Sequence, residues 1–189
     1  MTMIADAGAG DLWVFGYGSL IWRPGFAFEE SVAARLSGYH RSLCVFSHVH
    51  RGTPERPGLV LGLDRGGTCR GLAFRVAAGH ADETIAYLRE REQATSVYLE
   101  RHLVVTLEDG RRVKAVVYVA DRKHLQYAGR LPAAELLKLV RQGRGSSGEN
   151  PDYVLRTHDH LHKMGIFDPV LAELAEALAP GLTHPRPPL

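Results

Sequence analysis

The chain predicts an α+β fold built on a mostly antiparallel sheet, one that can close into a barrel. Two observations lead there: strand-like segments come first and in hairpin-like order, while helical patterns cluster late. A third sets the scale: 189 residues, 45% of them hydrophobic, suit one domain with a real core. The expected organisation is a loose lead-in over residues 1–10, a single domain over 11–180 and a Pro-rich tail over 181–189.

The apolar run Leu12-Trp13-Val14-Phe15 reads as a buried first strand over residues 12–17. Residues 41–49 read as extended, and Arg51-Gly52-Thr53-Pro54-Glu55-Arg56-Pro57-Gly58 as a loop by its Pro, Gly and charge content. Two strands follow, over 59–63 and 69–76, with Asp64-Arg65-Gly66-Gly67 as the turn between them. Residues 81–94 read as a helix with Asp82 near its start, where acidic groups suit the dipole. A hairpin over 103–107 and 113–120 turns at Asp109-Gly110. Three helices close the order: 132–142 with Pro132 in its first turn, 150–164 with Asn150 as N-cap and Pro151 at N1, and 169–179. Residues 143–149 read as a mobile loop between the first two.

The first strand breaks into Gly16-Tyr17-Gly18-Ser19-Leu20. Two glycines this close allow positive φ and a ligand near the main chain. Successive N–H groups in such a turn can converge on an anion. The expectation is recognition of a carboxylate or oxyanion by backbone, set against an ordinary tight turn after a core strand. Ile21 stands where a dinucleotide fingerprint needs its third glycine. Ser19 lies outside the frame of a nucleophile elbow.

A net charge of +2 requires no basic surface, which argues against nucleic acid and anionic membranes as partners. Cys44 and Cys69 stand in apolar contexts without Cys-x-x-Cys spacing and read as free, buried thiols. The start of the chain lacks the pattern of a signal peptide, and no window reaches membrane-spanning length without charge. The cytoplasm is therefore the expected location.

On the helix over 81–94, Ile85, Leu88 and Glu92 fall on one stripe at about 100° per residue. Glu92 thus projects from the core-facing side, where an unpaired carboxylate is costly. It is a helix-terminal group that escapes to solvent or pairs with Arg89 or Arg91, a catalytic acid or base lining a cavity, or a buried structural ion partner. His158 and His162, at i and i+4, have a spacing that can chelate a metal. The His-Glu-x-x-His pattern and thiol ligands are missing, so surface histidines are the better reading and no metal is expected. Tyr98 and Tyr127 are candidates to hydrogen-bond a ligand, or aromatics half-buried under loops. Arg41 and Arg144 are candidate carboxylate partners, or solvated surface residues.

Taken in order, several segments resemble the ChaC family of γ-glutamylcyclotransferases. They are Val14-Phe15-Gly16-Tyr17-Gly18-Ser19-Leu20-Ile21-Trp22-Arg23-Pro24, the loop from Arg51 to Val60, Tyr87-Leu88 with Arg91-Glu92 and Tyr98, and then Arg144-Gly145, Ser147-Gly148, Asn150 and Tyr153. The resemblance implies a small mixed, mostly antiparallel β-barrel of the γ-glutamylcyclotransferase-like type with flanking helices. It implies cleavage of glutathione to 5-oxoproline and cysteinylglycine without a cofactor. Glu92 falls on the family's catalytic glutamate as general acid and base, and Tyr17, Gly18, Ser19 and Leu20 on its substrate-binding turn, with Arg41, Tyr98 and Tyr127 as further substrate contacts. The partner expected is this small molecule, the assembly a monomer or weak homodimer. Ser96-Val97 stands where the family usually has a glycine pair. A cyclotransferase for other γ-glutamyl amines or dipeptides, and a non-catalytic binder of small acidic metabolites, therefore remain alternatives.

Overall fold

The computed structural model describes residues 10–92 and 95–179. The lead-in up to residue 9, positions 93 and 94, and the tail from residue 180 lie outside the described residues. Two compact units are formed, one from Met1–Val45 with Leu61–Arg130, the other from Phe46–Val60 with Leu131–Leu189. No helix among the described residues is long and apolar enough to cross a membrane.

The first unit carries a closed five-stranded barrel. Its strands are β1 (Leu12–Gly16), β2 (Glu30–Ser47), β3 (Gly58–Val76), β4 (Tyr98–Leu107) and β5 (Arg112–Ala120), neighbouring one another in the order β1-β3-β2-β4-β5. Strand β1 pairs antiparallel with β3 and parallel with β5, through Trp13 and Val14 against Ala115 and Val116. That one parallel seam makes an otherwise antiparallel barrel mixed, as the family resemblance implies. The β4–β5 hairpin turns through Gly110, whose φ of 89° suits a glycine in a tight turn.

The barrel is longer-stranded than the sequence reading allows. The two short strands expected around Asp64-Arg65-Gly66-Gly67 are one 19-residue strand, β3. Gly66 and Gly67 do take positive φ, at 97° and 71°. They bend the strand without reversing it, and His40 Nδ1 of β2 lies 3.0 Å from the Gly66 carbonyl oxygen. Strand β2 likewise begins at Glu30, eleven residues before the extended segment expected from residue 41.

Helix α2 (Ala81–Glu92) follows a 3₁₀ turn at Ala78–His80. Leu88, fully buried, joins Val14, Leu20, Val76, Val116 and Tyr118 in a core cluster, with Ile85 and Tyr98 packed against it. The apolar stripe of α2 therefore faces β1, β5 and the short helix α1 (Ser19–Trp22) that continues from the first turn.

The second unit packs α3 (Ala133–Gln142), α4 (Asn150–Lys163) and α5 (Pro169–Leu178) around Leu139, Val140, Val154, Leu161, Leu171 and Leu174. The segment expected to be a mobile loop holds a two-strand ribbon, β6 (Arg144–Gly145) with β7 (Gly148–Glu149), and the Ser146 and Ser147 N–H groups donate to the carbonyls of Val49 and His50. Asn150 is not the N-cap of α4; Glu149 holds that place without a side-chain cap. Asn150 is instead fully buried. Its Oδ1 accepts from the Leu59 N–H at 2.7 Å and its Nδ2 donates to the Leu59 carbonyl at 2.7 Å. One amide side chain thus stands in for a missing strand partner. Asn150→Ala would leave two buried backbone groups unpaired, and stability should fall by about 2–4 kcal/mol, read from denaturant unfolding against wild type.

Candidate active site

The end of β1 and the end of α2 meet at one place in the first unit. Gly18 precedes α1 with φ −133°, and Gly16 is likewise not among the positive-φ glycines, so the turn does not use the left-handed freedom the sequence reading assigned it. Gly16 serves close packing instead: a Cβ there would lie 3.1 Å from both the Leu20 Cβ and the Phe74 ring. The Ile21 N–H donates to the Gly18 carbonyl at 3.0 Å, closing the first turn of α1. At such a helix start the first N–H groups lack intrahelical acceptors. Tyr17 and Leu20 are buried, and the carbonyl of Tyr17 accepts from Arg41 Nε at 2.7 Å. Arg41 thus fastens the turn from below through its backbone, and its Nη2 also reaches the Arg70 carbonyl.

Glu92 closes α2 on the same stripe as Leu88, and its side chain keeps only 16% of its exposure. Burial pushes its carboxyl pKa above the ordinary value, and the charge of Arg91 opposes that rise without cancelling it. Arg91 Nε lies 3.1 Å from Glu92 Oε1. The same guanidinium donates to Ser19 Oγ at 2.9 Å, the Arg23 carbonyl at 2.6 Å, the Pro24 carbonyl at 3.1 Å and the Tyr87 hydroxyl at 2.9 Å. Glu92 and the Ser19 turn are therefore joined through one side chain. Sequence reading named Arg91 only as an ion partner; its i, i+4 spacing from Tyr87 was the one local signal of the wider role.

A second carboxylate stands nearby in a contrasting state. Glu100, on β4, accepts from Arg89 Nε and Nη2 at 2.8 and 2.9 Å and from the Tyr118 hydroxyl at 3.1 Å. The Arg89 hydrogen bonds hold its pKa below the ordinary range despite partial burial. Burial raises the pKa of Tyr118, with the charges of Glu100 and Glu92 adding to the rise. Two carboxyls are pushed in opposite directions on one face, an arrangement that separates a proton carrier from a fixed charge.

The remaining predicted residues have defined places. Tyr98 packs with the Leu20–Leu88 cluster and donates from its hydroxyl to the Leu61 carbonyl at 2.8 Å. Tyr127 donates to Asp64 Oδ2 at 2.8 Å, and Asp64 Oδ1 accepts from Arg122 at 2.6 Å, so this tyrosine belongs to a polar set on β3. Ser96, just before Tyr98, holds φ at 57°, the one non-glycine residue with positive φ among those described. In the second unit Arg144 lies 3.8 Å from Glu149. His158 and His162 lie with ring centroids 6.3 Å apart, and no group of three or more His, Cys, Asp or Glu able to hold a metal occurs among the described residues. Cys44 and Cys69 are free and buried.

A profile of ChaC-like proteins matches residues 12–179. The chain is 34% identical over 173 residues to the glutathione-specific γ-glutamylcyclotransferase of Escherichia coli (strain K12), covering 92% of this chain and 75% of that one. It is 33% identical over 173 residues to glutathione-specific γ-glutamylcyclotransferase 1 of Homo sapiens, covering 88% and 78%. Among solved structures, a γ-glutamyl cyclotransferase specific to glutathione from yeast shares the fold, with a TM-score of 0.82 at 24% identity over 89% of this chain and 96% of that one.

A raised carboxyl pKa means that the folded state binds the Glu92 proton more tightly than the unfolded chain does. Stability contributed by that proton is present below the unfolded-state value and is lost as pH rises through the folded one. Glu92→Gln should therefore melt above wild type at neutral pH, with the difference closing as pH falls through the raised folded value and gone below about 4. Thermal melts of both proteins across that range check it.

Proposed function

The chain belongs to the family of ChaC-like proteins, and from that membership we propose that it is a glutathione-specific γ-glutamylcyclotransferase. The observation that carries the reading is a dry carboxylate, Glu92, joined through Arg91 to the turn after β1. The names of its relatives from Escherichia coli and Homo sapiens support the substrate.

The γ-glutamyl group of glutathione lies against Tyr17, Gly18, Ser19 and Leu20, whose backbone N–H groups receive the carboxylate or the amide oxygen. Its α-ammonium faces Glu92. Glu92 accepts a proton from the ammonium, and the freed amine attacks the γ-carbonyl carbon of the same molecule. A five-membered lactam forms as the γ-amide C–N bond breaks. The leaving nitrogen of cysteinylglycine takes up that proton from Glu92; the carboxylate then accepts the second hydrogen of the attacking nitrogen as the lactam closes and passes it on, so that the amine departs as an ammonium and Glu92 returns as carboxylate. No water is consumed, and 5-oxoproline and cysteinylglycine are the products.

Energetics favour a buried base for this step. An ordinary glutamate and an α-amine differ by about 3.7 pKa units, so proton transfer is uphill by about 5 kcal/mol, and each unit closed removes about 1.4 kcal/mol. Burial raises the carboxyl toward the amine. Backbone donors at the developing oxyanion lower the barrier further. The attack is intramolecular, so the site's remaining task is to fold the substrate into a near-attack shape.

The protein acts in the cytoplasm on this small molecule, as a monomer or weak homodimer, with no nucleic acid, membrane or cofactor. A second reading, turnover of other γ-glutamyl amines or dipeptides, is favoured by Ser96: its side chain and the buried Val97 stand immediately before Tyr98. Parallel assays on glutathione and γ-glutamyl-alanine, followed as 5-oxoproline release, separate the two.

Wild type should release 5-oxoproline from glutathione, and Glu92→Gln should lose about 10²–10⁴-fold in kcat, the range for a lost general base. The acid limb of the wild-type rate profile should lie above the ordinary carboxylate range, because activity appears only as pH rises through the raised Glu92 pKa. Saturable glutathione binding without product would leave a non-catalytic binder in its place.

A further inference from the structure

We propose that Arg91 is a positioning residue of this reaction, its guanidinium yoking the Glu92 carboxylate to the turn after β1 so that base and substrate cradle keep one register. The inference rests on the reading of Glu92 as the base and adds a part to it.

Consider what the guanidinium touches. One edge meets Glu92 Oε1 at 3.1 Å. The rest meets Ser19 Oγ, the carbonyls of Arg23 and Pro24, and the Tyr87 hydroxyl. These acceptors come from both sides of α1, the helix that begins at Ser19, and from the preceding turn of α2. The planar fork of arginine reaches them together, which a lysine ammonium on a flexible stem does not. The guanidinium also lies 6.0 Å above the Tyr87 ring centroid.

Tyr87 is seated for the purpose. Gly25, at φ 79°, leaves the space its hydroxyl occupies: a Cβ on Gly25 would lie 2.0 Å from that oxygen. Arg91 is therefore backed by a ring that the adjoining loop is shaped to receive, and its side chain is held to 18% exposure. An ordinary surface ion pair needs none of this apparatus.

The charged and titratable groups around Glu92 are few. Arg91 stands on its own helix. From β5 the Tyr118 hydroxyl faces it, bonded to Glu100 of β4, which Arg89 holds ionised and His102 approaches at 4.0 Å. Arg91 is the one cation in contact with the Glu92 carboxylate among the described groups. It contributes orientation and charge, and the two are separable by substitution.

The test compares Arg91→Met, Arg91→Lys and Ser19→Ala with wild type and Glu92→Gln, measuring 5-oxoproline release from glutathione as kcat and KM over pH 5–9. Arg91→Met should lower kcat by about 10²-fold, as expected for a displaced reacting group, and move the acid limb to higher pH because burial then acts on Glu92 unopposed. Arg91→Lys should lower kcat while leaving the limb near its wild-type position. Ser19→Ala should lower kcat with the limb unmoved. An Arg91→Met limb at the wild-type position overturns the assignment, because a merely structural residue would lower activity without moving it. So does an Arg91→Met kcat within about twofold of wild type. Should Arg91→Met fail to fold, Arg91→Lys and Ser19→Ala decide, and kcat within about twofold of wild type in both overturns the assignment. Wild-type turnover by Glu92→Gln removes the base and the yoke together, whereas an inactive Glu92→Gln beside an unaffected Arg91→Met removes Arg91 alone.

Discussion

A carboxylate at the end of an apolar helical stripe is the constraint on which the rest of the first unit turns. Leu88 and Ile85 place that stripe against Val14, Leu20, Val116 and Tyr118, and one helical turn later the same face delivers Glu92. A carboxylate there is destabilising unless it is paired or left neutral. The molecule takes a middle course. It supplies one guanidinium, and it spreads that guanidinium over four other acceptors, so the pair does not collapse into a simple ion bridge. Enough desolvation survives to raise the Glu92 pKa. A carboxyl held this way is easier to protonate than an exposed one, which is the property a proton carrier needs.

The barrel makes that placement rigid. Strand β1 pairs parallel with β5 at Trp13 and Val14 and antiparallel with β3 along its whole length, so that its C-terminal end, Gly16 against Leu72, is tied into the sheet. The turn that follows leaves from a fixed point, and α1 is packed against Phe74 and Leu88 through Gly16 and Leu20. Arg41, from β2, adds a hydrogen bond to the Tyr17 carbonyl from a neighbouring part of the wall. Sites carried on such regular elements hold their geometry more closely than sites on free loops. On the function proposed above, the backbone donors of the turn gain from this, since a donor already aimed needs no reorganisation when charge develops.

How much of this was legible in the sequence depended on whether the cause was local. Strand β1, the stripe on α2 and the hairpin at Gly110 rest on periodicity and turn chemistry within a few residues, and they were read correctly. The length of β3 was not, because Gly66-Gly67 looks the same whether a chain reverses or bends, and only the neighbouring strand decides. Asn150 carried a true capping signature, Asn before Pro, yet its amide is claimed by Leu59, which lies 91 residues away in the chain. Gly16 and Gly18 were singled out for positive φ, which neither adopts; close packing explains Gly16. Apart from its i, i+4 spacing from Tyr87, Arg91 read only as a helix charge, since three of its five partners lie outside α2.

The two carboxyls near Tyr118 show why a charged run such as Arg89-Glu90-Arg91-Glu92 cannot be read from composition alone. Arg89 turns toward Glu100 and, with Tyr118, stabilises its ionised form. Arg91, two residues on, turns to the other side and meets a carboxyl that burial has already biased toward its proton. At about 100° per residue, two arginines separated by two positions differ by about 160° in direction, so each can serve a different acid. Helix geometry thus sends one arginine of the charged stretch to a fixed anion on β4 and the other to a titratable carboxyl on α2. The fixed anion keeps Tyr118 protonated, since its charge and hydrogen bond both add to burial in raising the phenol's pKa. A neutral phenol near Glu92 adds no competing charge to its surroundings. The proton affinity of Glu92 is then governed by two opposing influences, its burial and Arg91.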